Sequence, residues 1–139
     1  MQSLSLPLLR LAYVALFAWF GIQQIIDPAS WVGFLPESSG YLPIPGEMLI
    51  AINGWFELCL ALALLLGVWT RGMSIILALH LFGIAWTTGG AIGVRDAALG
   101  MIGLVLALNP ADRWTLDARS RSTTLAKDPS PPPEKASSH

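Results

Sequence analysis

Apolar residues gather into four runs, Leu4–Ile26, Met48–Val68, Met73–Thr88 and Ile92–Leu108, separated by stretches rich in glycine, proline and charge. Each run reads as a membrane-crossing helix. Met48–Val68 holds 21 residues, about 31 Å as α-helix, which matches a hydrocarbon core of about 30 Å. Leu4–Ile26 is long enough even with Pro7 in its first turns, where proline is tolerated. Met73–Thr88 is short and must borrow Gly89–Ile92 or tilt. Ile92–Leu108 spans only if Arg95 and Asp96 belong to its first turns. The pattern predicts an all-α integral membrane four-helix bundle over residues 1–117.

The segment between the first two runs, Asp27–Glu47, is long for so small a bundle. Asp27-Pro28 has the form of a cap followed by a first helical residue. Trp31, Phe34, Leu35, Tyr41 and Leu42 alternate with Pro36, Pro43 and Pro45. Tryptophan and tyrosine favour the membrane interface, so this loop is expected to lie over the outer mouth of the bundle. Residues 118–139 differ from the rest. Pro129, Pro131–Pro133, several serines and mixed charges cannot bury enough apolar surface to fold, and a disordered tail is expected.

The polar residues inside the runs change the picture most. A charge at the bilayer centre costs about 2.5–3.5 kcal/mol even on the mildest scale, so it calls for a partner, a cavity or a function. Arg10, Tyr13, Phe17, Gln24 and Asp27 fall near one stripe of the first helix. Asn53 and Glu57 are four apart and share a face of the second. Glu57 and His80 lie at similar depth on consecutive helices and are placed to pair. Gln24, Asp27, Asn53, Arg95 and Asp96 fall in the outer half, as candidates to line one vestibule. Arg10 and Arg71, at the inner end, are expected to snorkel to lipid headgroups. Asp96, Gly100, Gly103 and Ala107 form a small-residue stripe suited to close helix contact. The candidate ligand-binding set is therefore Glu57, His80, Gln24, Asn53, Arg95 and Asp96.

Composition agrees with a membrane protein. Of 139 residues, 54% are hydrophobic and 12% charged, against about 25% charged in soluble domains. A net charge of −1 offers no basic groove for nucleic acid. Cys59 is the single cysteine, which excludes an intrachain disulfide or a cysteine-rich metal site, and it reads as a buried thiol. No metal signature, nucleophile–base pair, phosphate loop or flavin motif is present, so no autonomous catalytic motif is identified. The N-terminus lacks a basic region and an A-x-A-like site, and the first run is expected to remain as a helix. Arg10, Arg71, Arg113, Arg119, Arg121, Lys127 and Lys135 fall on one side of a four-span topology, and only Arg95 on the other. By the positive-inside rule both termini are cytoplasmic, in a bacterial-type inner membrane, and the first loop is extracytoplasmic.

Leu9-Arg10-Leu11, Gly21-Ile22-Gln23-Gln24-Ile25, Glu57, and Leu64-Leu65-Leu66-Gly67 with Thr70-Arg71 together resemble the DoxX family of small four-helix membrane proteins. Arg95-Asp96-Ala97-Ala98-Leu99 is similar to a segment of some members, while Gln24 stands where lysine is common. The likeness covers residues 8–109. It implies the fold, and a link to quinone-coupled or redox membrane complexes. The expected role is an accessory subunit of a larger respiratory or redox complex, with other membrane subunits or further copies of the chain as partners in the bilayer. The alternatives are a binder of quinone or another lipid-like molecule, with quinone the cofactor then implied, and a small-molecule transporter.

Overall fold

A computed structural model describes residues 4–109 and 115–116; the predicted tail, 118–139, lies outside the described residues. Among the described residues there are four α-helices: α1 (Ser5–Ile26), α2 (Gly46–Leu66), α3 (Thr70–Thr88) and α4 (Gly90–Leu108). All four are long and apolar enough to cross a membrane. The first loop carries two 3₁₀ helices, Pro28–Phe34 and Glu37–Tyr41, the first beginning at the expected Pro28. Pro28 supplies a fixed φ at the start of the first, and the Asp27 carboxylate accepts the Ser30 hydroxyl at 2.6 Å.

The third and fourth helices start earlier than hydropathy predicts. Gly67 closes α2 in the left-handed region (φ 69°), and Trp69 follows at φ 45°. This turn is complete in three residues, so α3 gains length at Thr70–Gly72 and not from Gly89–Ile92. Gly89 alone joins α3 to α4, at φ 62° and ψ −166°, a conformation open to glycine and closed to side chains. At 19 residues each, α3 and α4 reach about 28 Å.

Consecutive helices run antiparallel, and α1 packs along α2 as α3 packs along α4. Glycine sets the spacing in both hairpins. A β-carbon on Gly21 would stand 2.7 Å from the Gly54 carbonyl oxygen, and one on Gly93 would stand 2.7 Å from that of Ala85. Backbones so close are typical of membrane helices, where dispersion and not water exclusion drives packing. The core joins the hairpins through Tyr13, Phe17, Leu60, Leu64, Leu77, Leu81 and Leu106. Outward faces stay apolar: Leu62, Leu79, Val94 and Met101 are exposed. Such surfaces belong against acyl chains. Cys59 also faces outward, contrary to the buried thiol expected.

Arg10 differs from the sequence expectation in direction. It is 4% exposed, and its Nη1 donates to the carbonyl oxygens of Leu64 at 2.7 Å and Leu65 at 3.1 Å. Arg71 Nε donates to the Ala107 carbonyl at 2.9 Å. The last carbonyls of a helix lack intrahelical partners and carry the negative end of its dipole. In lipid no water relieves them. Arg10 therefore turns inward to the end of α2, and Arg71 to the end of α4.

Candidate functional site

Glu57, midway along α2, is 3% exposed and is hydrogen-bonded to side chains of three helices. Gln24 Nε2 on α1 reaches its Oε2 at 3.2 Å. Asn53 Nδ2, one turn earlier on α2, reaches its Oε1 at 3.0 Å. His80 Nε2 on α3 stands 3.1 Å from the same oxygen. Asn53 Nδ2 also donates to Gln24 Oε1 at 2.8 Å, which closes a ring of three side chains. Both amides are oriented by that ring: reversing Gln24 sets donor against donor at Asn53, and reversing Asn53 sets its oxygen against two acceptors. His80 packs edge-on against Phe56, with ring centroids 5.3 Å apart.

On the far wall, Arg95 Nε donates to Asp96 Oδ1 at 2.8 Å. The Arg95 guanidinium carbon lies 5.9 Å from the centre of the Phe20 ring. Asp96 is buried while the Arg95 side chain is 53% exposed, so the pair runs from the interior to the rim.

Between these walls lies a cavity of about 380 Å³. All four helices and the first loop line it, with Glu57, Arg95, Asp96 and Thr88 as its polar groups. Phe17, Trp19, Phe20, Trp31 and Phe34 supply aromatic walls. Phe20, Trp31 and Phe34 form a chain of ring contacts at 5.5 and 5.7 Å, so the loop roofs the cavity. Tyr41 and Leu42, further along the loop, point away and are exposed.

The six predicted site residues thus separate into two groups. Glu57, Arg95 and Asp96 line the cavity, whereas Gln24, Asn53 and His80 hold Glu57 from behind. Asp27 bonds Ser30 in the loop and does not join them. Of the aromatic lining, Phe17, Trp31 and Phe34 fall where the sequence placed them, and Trp19 and Phe20 were missed. The signal for Phe20 was the spacing Phe17, Phe20, Gln24, three and four residues apart on the polar face of α1. No group of three or more metal-ligating side chains occurs among the described residues.

The model of the DoxX family matches residues 5–90. The chain belongs to the DoxX family. The match takes in α1, α2 and α3, with Gln24, Asn53, Glu57 and His80. It ends at Gly90, so the Arg95–Asp96 half of this DoxX protein's cavity, and the stretch 95–99 likened above to the family, lie beyond it. No curated protein and no solved structure matches the chain. Membership and the four candidate spans make this a multi-pass membrane protein.

Proposed function

We propose that this DoxX protein binds a small lipid-like molecule, with Glu57 meeting the ligand's polar head. The observation that carries this reading is the placement of one buried carboxyl on the wall of a cavity enclosed by every helix. Apolar pockets with a few converging polar groups are the usual form of a ligand site. Intramembrane acids otherwise find a structural partner and stay sealed; Glu57 has its partners and still borders open space. A quinone belongs to the ligand class, with a flat ring for the aromatic walls and an apolar tail reaching the bilayer. Extraction with native lipids followed by mass spectrometry tests the reading: one small molecule should accompany the wild-type chain and be depleted from Glu57→Gln. Equal recovery of the same lipids from both would refute it.

An accessory role in a respiratory or redox complex remains compatible with ligand binding. The small-residue face of α4 is used within the chain, where Gly93, Gly100 and Gly103 face Ala85, Phe82 and Ala78 of α3. Small size and the apolar exterior are its support, and co-purification from native membranes is its test. For topology, we infer that both termini are cytoplasmic and the roofing loop is extracytoplasmic in a bacterial-type inner membrane. Support comes from Arg10 and Arg71, which lie at the end of the bundle opposite Arg95.

A further inference from the structure

The charges around the cavity point to the kind of head group it takes. Two carboxyl groups line it, those of Glu57 and Asp96, against one guanidinium. That guanidinium is engaged with Asp96 and leans on Phe20 at the rim. Asp96 is 4% exposed. Its Oδ1 takes the Arg95 bond, and its Oδ2 has no hydrogen-bond partner among the described residues. Glu57 is held by two neutral amides and an imidazole that stands outside the lining. The deep polar surface is therefore acceptor-rich, with two carboxyl groups against one guanidinium. Five aromatic rings stand among its aliphatic walls, and aromatic faces attract cations. A head group with negative charge meets one charged donor, Arg95, beside the neutral donors of Thr88, Trp19 and Trp31.

We propose that the ligand carries a positively charged nitrogen, as an amphipathic amine or quaternary ammonium, which lies between Glu57 and Asp96 against the aromatic rings. This rests on the binding reading above and narrows it. Arg95 then serves as a counter-charge that leaves room for one cation.

Four water-soluble ring compounds test it on the full chain in nanodiscs, read by thermal stabilisation: phenyltrimethylammonium, benzyl alcohol, benzenesulfonate and a tail-less benzoquinone. The ammonium should saturate at a concentration about tenfold or more below that of any other compound. Glu57→Gln should remove that advantage. Because this variant loses a structural hydrogen bond, the exchange Q24E/E57Q is the second variant. It keeps a carboxylate in the ring but moves it to position 24, outside the cavity lining, and should also lose the preference. Stronger binding of the quinone, the alcohol or the sulfonate would overturn the cation assignment while leaving a ligand site in place. Saturable binding of none of the four would overturn both. An ammonium preference kept in the exchange variant would overturn the role given to Glu57.

Discussion

Replacing Glu57 with glutamine keeps the side chain's size and removes one acceptor, which makes it a sharp probe of the ring. Glutamine can keep its oxygen towards Asn53 and His80, at the Oε1 position that both donors share. Its NH₂ group then faces Gln24 Nε2 at 3.2 Å, donor to donor. Gln24 cannot rotate its amide to help, because its oxygen already accepts from Asn53 at 2.8 Å. One buried hydrogen bond is lost whichever way the amides turn. A buried donor left unsatisfied costs about 1–3 kcal/mol; interhelical bonds in membranes fall towards the lower end. E57Q should therefore lower stability by about 1–2 kcal/mol, measured by equilibrium unfolding in mixed micelles. The exchange Q24E/E57Q restores every donor–acceptor pair: glutamine at 57 donates to glutamate at 24, which also accepts from Asn53. Q24E alone sets two carboxyl groups at hydrogen-bond distance and is also destabilising. A double-mutant cycle should give a favourable coupling of about 1 kcal/mol or more. If the exchange variant is as unstable as the sum of the two single variants, the ring does not contribute as described.

Gly54→Ala should cost about 1–3 kcal/mol in the same assay, because its methyl group would stand 2.8 Å from the Gly21 carbonyl oxygen and 2.9 Å from Gln24 Cβ. Gly83→Ala, where nothing lies within 4 Å, should raise stability by up to about 1 kcal/mol through helix propensity; equal effects at the two sites would refute the close-contact account. Arg10→Leu should destabilise by about 1–2 kcal/mol by leaving the Leu65 carbonyl without its side-chain donor and the Leu64 carbonyl with the Gly67 N–H alone, and Arg10→Lys should recover only part of this, since a single ammonium lacks the guanidinium's fixed fork. Trp31→Ala should open the cavity roof and weaken thermal stabilisation by phenyltrimethylammonium, while leaving the E57Q–Q24E coupling unchanged.

Much of this arrangement was readable along the chain. Four apolar runs of the right length specify four helices, because lipid admits few other backbone solutions. Equal depth on neighbouring helices was enough to bring Glu57 and His80 together. Direction was harder to read. Arg10 has a stem long enough to snorkel or to turn inward, and the outcome depends on the end of α2, 54 residues away. Cys59 lies two positions from Glu57, and only the helix rotation decides that one faces the interior and the other lipid. Of the cavity, the outer mouth with Arg95, Asp96 and the covering loop was legible, but its extent was not, since it depends on distances between hairpins that no single helix encodes.

Those distances follow from an uneven distribution of small and large side chains. Within each hairpin, glycine lets the backbones meet: Gly21 against Gly54, and Gly93 and Gly103 against Ala85 and Ala78. Between the hairpins stand Phe17, Phe20, Trp31 and Leu81, too large to allow the same approach. The bundle is thus tight along two seams and propped apart in the middle, where open space remains beside a buried carboxyl. An apolar side chain at position 57 would need no ring of donors and would suit a purely structural bundle better, because burying a charge with its partners is seldom the most stable arrangement. Gln24, Asn53 and His80 keep one carboxyl fixed at the wall of that space. Such an outlay on position and not on packing is expected of a group that acts on something entering the cavity.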